Sequence, residues 1–302
     1  MITSFNDLFA ELQAKGICKR MVVAWGVDSH SIEAAALATE KGFVTTTLVG
    51  DPALIADVCA KCNINQDVFT IVPETDELKA VAKAVQMVHD GEGDVLMKGL
   101  CSTDKFLRAI LNKEVGLLPP KGVLSHVGVI ENPNYHKLLF LSDMAVIPQP
   151  DFRQKVKLAG YLVATAKSFG LTMPKIAFIA ASEQMLDSMP ACIEGAMLAK
   201  MCDRGQIKAI GDGPLALDVA IDQEAVEIKK LKSPVAGDAD CLLFPNIESA
   251  NVFWKTNSKL ANGVRQAGFL VGVKAPCILA SRADSVDVKL NSIASAVMSV
   301  VK

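Results

Sequence analysis

The run KAPCILASRADS, residues 274–285, ends an apolar stretch abruptly in Ser281 and Arg282. A guanidinium presents a planar fork of N–H donors and the hydroxyl adds one more, which suits a phosphate-like anion; the same pair also closes ordinary surface turns. A second candidate is MKGLCST, residues 97–103, where a strand ends at Lys98, turns at Gly99 and opens a helix at Ser102 and Thr103. Free backbone N–H groups at that helix start, together with two hydroxyls, would hold an anion, but a simple helix cap needs the same residues. The third is SPVAGDADCLLFPNIESANVFWK, residues 233–255, in which Asp238, Asp240, Asn246, Glu248 and Asn251 crowd the two ends of one short strand. A core strand needs none of these polar groups, and Asn246 and Glu248 fall at its C-terminal end, where α/β sheets bind ligands. Ser125 and His126, in VLSHVGV, lie on another expected strand, where a histidine is more often structural than catalytic.

Other chemistries fit less well. The spacing in CAKC, residues 59–62, matches redox or metal pairs, but no second pair accompanies it and an ordinary helix face gives the same spacing. The four histidines form no spaced pair with one another or with a cysteine, which argues against zinc. No Gly-x-Ser-x-Gly elbow is present. GDGPLALD, residues 211–218, lacks the third glycine of a dinucleotide fingerprint and reads as a structured loop, with Pro214 starting a helix.

These residues must be positioned by a chain of 302 residues, 51% hydrophobic but only 5% aromatic, whose small aliphatic side chains suit close helix-on-sheet packing. The formal charge of -2 gives no reason to expect nucleic acid or a membrane surface as a partner. No apolar run reaches the roughly 20 residues of a membrane span. The first 16 residues read as an amphipathic helix with acids rather than a signal peptide. Eight scattered cysteines without framework spacing look like reduced thiols and point to the cytoplasm. Strand-like stretches such as MVVAWG, FVTTTLVG, DVLMKG, PKIAFIAAS and DCLLFPN alternate with helix-like ones, so βαβ units and mostly parallel sheets are expected. Ser29 or Ser31 is a candidate cap for the helix at 29–42, and Pro52 fits a first helical position. Between 117 and 150, five prolines and two extended apolar runs suggest antiparallel strands at a crossing between domains. GVKAPCILAS reads as the last strand and the segment after it as a final helix.

Read together and in order, SPVAGDADCLLFPNIESANVFWK, DGPLALDVAI and KAPCILASRADS resemble the phosphate acetyltransferase and phosphate butyryltransferase family. DVLMKG, LNKEVGL, VLSHVGVIE, KLLFLSDMAV and MCDRGQIKAIGDGPLALD resemble its butyryl branch, and the likeness covers nearly the whole chain. The resemblance implies transfer of an acyl group from butyryl-CoA, or a related short-chain acyl-CoA, to inorganic phosphate, directly within a ternary complex. It implies two three-layer α/β domains with an interdomain cleft, in the outline also known from isocitrate and isopropylmalate dehydrogenases. Residues 1–140 with 276–302 would form the first domain and 141–275 the second. Ser281 and Arg282 would grip phosphate, with Ser102 and Thr103 facing the same anion. Lys98, Gly99, Ser125, His126, Asn246, Glu248 and Asn251 would line the cleft for the substrates. The family places an aspartate seven residues after the serine of the Ser-Arg pair as the thiol base; Val288 stands there in this chain, and the adjacent Asp287 takes the candidate role.

No cofactor or metal is implied, since the CoA thioester and phosphate are themselves the substrates. The implied partners are these small molecules, a functionally coupled acyl-phosphate kinase such as butyrate kinase, and further copies of the chain in a homo-oligomer. Phosphate acetyltransferase is the nearest alternative. An acyltransferase using a carrier-protein thioester would need a basic docking patch, and none is evident. A metal- and NAD-dependent dehydrogenase of similar outline would need motifs this chain lacks, and a non-catalytic binding protein is the remaining alternative.

Overall fold

The alternation of strands and capped helices expected from the sequence runs through the chain. The computed structural model describes residues 1–281 and 284–301. In order come α1 (Phe5–Ala14), β1 (Lys19–Ala24), α2 (Ser29–Glu40), β2 (Val44–Gly50), α3 (Pro52–Lys61), β3 (Phe69–Pro73), α4 (Glu77–His89), β4 (Val95–Lys98) and α5 (Thr103–Ile110). There follow β5 (Ser125–Glu131), β6 (Leu139–Ser142), α6 (Phe152–Ser168), β7 (Lys175–Ile179), α7 (Pro190–Asp203), β8 (Ile210–Leu215), α8 (Leu217–Ile221), α9 (Gln223–Lys229) and β9 (Cys241–Leu243). The last elements are α10 (Ile247–Leu260), β10 (Arg265–Val271), β11 (Cys277–Ile278) and α11 (Val286–Ser299).

These elements form two α/β units. A split unit comprises Phe5–Leu124 and the chain from Ala267 onward; an inserted unit comprises Ser125–Gln266 with Met1–Ser4. The exchanges fall at 124/125 and 266/267, whereas the sequence reading places them at 140/141 and 275/276. The reason lies in 117–150. Its two extended runs are β5 and β6, paired antiparallel with Gly128 opposite Leu141, and β6 then pairs in parallel with β9. Both strands therefore belong to the inserted unit.

In the split unit the strands run β3-β2-β1-β4-β11-β10, parallel except for β10. Met21, Val23, Leu48, Leu96 and Met97 are fully buried between helices, each large apolar side chain contributing about 1.5–3 kcal/mol by leaving water. The cap of α2 is Asp28, which accepts from the Ser31 N–H at 3.0 Å, in place of the serines expected. Pro52 does stand first in α3. The expected last strand is shorter than its apolar run, since β11 holds only Cys277 and Ile278, and β10 was not anticipated at all.

In the inserted unit the order is β5-β6-β9-β7-β8. GDGPLALD supplies β8, not a loop, and the next helix begins at Leu217 rather than Pro214. An edge strand tolerates proline because one side of its ladder is free. The glycines are needed by packing: a Cβ on Gly211 would strike the Cys202 sulfur, and one on Gly213 would press on Phe178.

Asp238 and Asp240 belong to this scaffold. They lie before β9, at the opposite end from Asn246. Lys137 Nζ is 2.7 Å from both Asp238 Oδ1 and Asp240 Oδ1. Lys175 Nζ is 2.7 Å from Asp238 Oδ2, and the Lys175 N–H donates to Asp240 Oδ2 at 2.7 Å. Burial pushes the Asp238 carboxyl upward, but hydrogen bonds from Lys137 and Lys175, the Lys137 charge and His136 outweigh it and hold the group well below the usual carboxylate range. A lowered folded-state value stabilises the fold above the unfolded value of about 4, and that contribution fades as pH falls from there through the folded-state value. Lys137 is the better buried of the two lysines and pairs with the buried Asp240. Lys137→Met is expected to lower stability by about 3 kcal/mol, because Asp240 is left without its cation. A urea melt near neutral pH checks this, and a loss under about 0.5 kcal/mol would show the cluster to be only a solvated surface network.

Candidate active site

In the split unit β1 leads through α2 to β2 on one side while β4 flanks β1 on the other. Such a reversal opens a crevice at the carboxyl ends of the strands, the usual ligand position in an open α/β sheet. β11 continues the parallel set beside β4, with Cys277 opposite Leu96 and Ile278 opposite Met97. The segments following β1, β4 and β11 therefore leave one end of one sheet, and each leads into a helix N-terminus.

The segment after β4 is held by its backbone. The Gly99 N–H donates to Ala24 O at 2.9 Å and the Leu100 N–H to Trp25 O at 3.0 Å. A Cβ on Gly99 would collide with the Trp25 carbonyl, so the close approach requires glycine. Lys98 is 3% exposed, and its amine donates to Gly99 O at 3.1 Å and Cys101 O at 3.0 Å. It thus ties the loop together from within. Ser102 caps α5, accepting from the Lys105 N–H at 3.3 Å, and Thr103 is the exposed first residue of that helix. Burial pushes the Cys101 thiol up to about 11, so this loop cysteine stays protonated and unreactive near neutral pH.

After β11, Ser281 is exposed. Its N–H donates to Asp284 Oδ2 at 2.7 Å, and the Asp284 N–H returns a bond to Ser281 O at 3.1 Å. Arg282 lies outside the described residues. Ser285 caps α11 by accepting from the Val288 N–H at 3.3 Å, Asp287 is exposed in the first turn, and Val288 is half-buried. One end of the sheet thus collects Ser102, Thr103, Ser281 and Asp287: hydroxyls, helix N-termini and a carboxylate, an assembly able to take an anion and to accept a proton.

Beneath it lies a pair the sequence reading missed. Lys289, on the buried side of α11, places Nζ 2.9 Å from Ser31 Oγ and 3.3 Å from Asp28 Oδ1. The other carboxylate oxygen of Asp28 is buried without a hydrogen-bond partner. The signal was present: Lys289 sits in the row with Leu290, Ile293, Ala296 and Val297, all buried, where packing alone would place an apolar residue.

The remaining candidates lie in the inserted unit. Ser125 and His126 are buried. The Ser125 hydroxyl donates to Asp143 Oδ2 at 2.9 Å, the His126 N–H approaches the same oxygen at 3.3 Å, and the imidazole rests against the Met144 sulfur. Asn251 donates from Nδ2 to Met144 O at 2.9 Å, pinning α10 to the segment after β6. Glu248 is exposed in the first turn of α10. Asn246 caps that helix, accepting from the Ser249 N–H at 3.0 Å, and borders a cleft at the carboxyl ends of β7 and β9. Asn246 thus stands at a cavity of the inserted unit.

Among the described residues no group of three or more His, Cys, Asp and Glu side chains is arranged to hold a metal, and no helix is long and apolar enough to cross a membrane. A family profile described as phosphate acetyl/butaryl transferase matches residues 74–297. The phosphate butyryltransferase of Clostridium acetobutylicum is 42% identical over 299 residues, 99% of this chain and 98% of its own. The phosphate acetyltransferase of Rhizobium meliloti is 36% identical over 92% of this chain and 87% of its own. Among solved structures, a branched-chain phosphotransacylase from Enterococcus faecalis superposes with a TM-score of 0.82 at 27% identity, covering 93% of this chain and 98% of that one. The α/β fold and these likenesses define an acyltransferase. The chain belongs to the phosphate acetyl/butyryl transferase family.

Proposed function

We propose that this chain transfers a butyryl or related short-chain acyl group reversibly from coenzyme A to inorganic phosphate. What carries the reading is the near full-length likeness to a phosphate butyryltransferase, closer than that to the acetyl relative. A phosphate oxygen attacks the thioester carbonyl, the C–S bond breaks, and the CoA thiolate leaves with an acyl phosphate formed. Bringing the two reactants together supplies about 7–11 kcal/mol, and a donor to the developing oxyanion adds about 3 kcal/mol. Ser281 and Arg282 hold the phosphate, with Ser102 and Thr103 at the neighbouring helix start. In reverse, a CoA thiol with a pKa near the ~8.5 of a free thiol must lose its proton. Asp287, exposed beside Val288, is the proposed acceptor. No metal or cofactor takes part in this scheme.

The product is a mixed anhydride that an acyl-phosphate kinase can consume, so we place the chain beside such an enzyme. Eight free cysteines support a reducing, cytoplasmic setting. Assembly as a homo-oligomer belongs to the same proposal and is read by light scattering.

The test is phosphate-dependent release of CoA across a panel from acetyl- to hexanoyl-CoA. The kcat/KM is expected to peak at four or five carbons, each methylene being worth about 1–3 kcal/mol in an apolar pocket. A maximum at acetyl-CoA would assign the chain to the acetyl branch.

A further inference from the structure

The split unit holds a cavity of about 760 Å³ at the amino ends of β1, β4 and β11, the end of its sheet opposite the candidate active site. Four segments bound it: the turns after α1 and α4, the lead into β11 and the end of α11. The size falls within the ~300–1,000 Å³ of small-molecule sites. Val88, Ala275, Val300 and Val301 give it an apolar side, and Lys19 and Lys274 bring two ammonium groups from separate segments.

The two lysines lack an ordinary structural duty. Lysine commonly answers the free carbonyls at a helix C-terminus, but the helices that end here cap themselves. Gly16 and Gly91 take left-handed φ angles of 60° and 83°. The Ile17 N–H then donates to Leu12 O and the Glu92 N–H to Met87 O, each at 2.9 Å, which closes a Schellman cap after α1 and another after α4. Nor does a carboxylate hold the lysines. Asp94, in the same lining, already receives the Arg20 N–H at 2.9 Å, Arg20 Nε at 3.1 Å and Arg20 Nη2 at 2.7 Å. Hydrogen bonding to that guanidinium holds the Asp94 carboxyl below the usual range, and the Lys19 charge is the smallest contribution. Among the described residues neither Lys19 nor Lys274 forms an ion pair, and the Lys274 amine has His89 Nδ1 beside it at 3.4 Å. Two ammonium charges next to an apolar wall match an anionic head on a small apolar body.

We propose that this cavity binds a small organic anion of the short-chain carboxylate class, its head meeting Lys19 and Lys274 and its body resting on Val88, Val300 and Val301. None of these residues takes part in the acyl-transfer scheme above. α11 joins the two ends of the sheet: its first turn carries Asp287, and 14 residues later it leads into Val300 at the cavity, a span of about 21 Å.

Cys18, an exposed thiol in the lining, can report occupancy. Its alkylation by the neutral reagent iodoacetamide is followed by mass spectrometry, with butyrate as the probe. Butyramide is the same body without the charge, and inorganic phosphate is an anion without the apolar body. Butyrate is expected to slow labelling of Cys18 saturably with a Kd of about 1 mM, the scale for so small a ligand. Butyramide, which loses the charge-assisted contacts, should bind at least about tenfold more weakly. The double variant Lys19→Gln with Lys274→Gln should lose the protection while its melting temperature and its turnover stay near wild type. Should that variant not fold, Lys274→Gln alone, at an exposed position, is read the same way. Labelling of the wild type unchanged by butyrate overturns the inference, as does equal protection in a folded variant. Protection by butyramide or by phosphate as strong as that by butyrate also overturns it, the first marking a merely apolar hollow and the second a bare cationic patch.

Discussion

Arg282→Ala is expected to reduce kcat/KM for phosphate by about 10- to 150-fold, the equivalent of losing one charge-assisted hydrogen-bonded contact of about 1.5–3 kcal/mol. Phosphate near neutral pH is a mixture of mono- and dianion with acceptors on every oxygen, and a guanidinium meets two of them at once. The loss should fall on phosphate kinetics, with the KM for butyryl-CoA changed less than threefold. Lysine at 282 should restore only part of the rate, because an ammonium carries the charge without the fork. Ser281→Ala should cost less and leave measurable turnover, since direct attack by phosphate needs no acyl-serine. Steady-state kinetics and a melting curve on the same preparations decide the matter. Normal phosphate kinetics with a lowered melting temperature would make the pair a turn closure.

Lys289→Met is expected to destabilise the split unit by about 3–5 kcal/mol, the usual result of stranding one partner of a buried ion pair. Its amine is the cation facing Asp28, whose second oxygen already lacks a partner. Asp28 also caps α2, and Lys289 stands in α11 eight residues after Ser281, so the damage should reach turnover as well as stability. The double variant Asp28→Asn with Lys289→Met should recover most of the lost stability. Calorimetry can follow the two units as separate transitions. A single-variant loss below about 1 kcal/mol would show that water replaces the amine without penalty.

The sequence made the architecture legible wherever local and global preferences agreed. Strands β1, β4, β7 and β9 carry short apolar runs because helices cover them, and the pairing of β5 with β6 followed from two extended runs without helical period. It failed where tertiary packing overruled local chemistry. Gly211, Gly213 and Pro214 read as loop residues, yet they form β8, because Cys202 and Phe178 leave no room for side chains and the strand is at an edge. Asp238 and Asp240 read as ligand groups but answer Lys137 and Lys175, partners distant in sequence. For the site, motif likeness pointed to the segments after β4 and β11, which leave one end of one sheet. It could not show that Lys98, Ser125 and His126 are buried, since a polar residue at a strand end looks the same whether it is solvated or enclosed. The buried Lys289 was legible in principle as a charge in an apolar helical row.

The split unit has a consequence for the order in which the protein acquires its shape. Its sheet places β11 between β4 and β10, so strands made early must wait for strands made late. A ribosome that has released residues 5–124 has delivered a half-sheet whose inner flank, the β4 side, is bare. Residues 125–266, by contrast, emerge as one continuous run holding every strand of the inserted unit's sheet. Domains generally fold as units during synthesis, N-terminal material first; here connectivity reverses that precedence, and the second-made unit can close before the first. The candidate phosphate grip belongs to the part that closes last. Loss of the final few dozen residues would then spare a folded inserted unit while leaving a nascent β4 edge open to pairing with another chain.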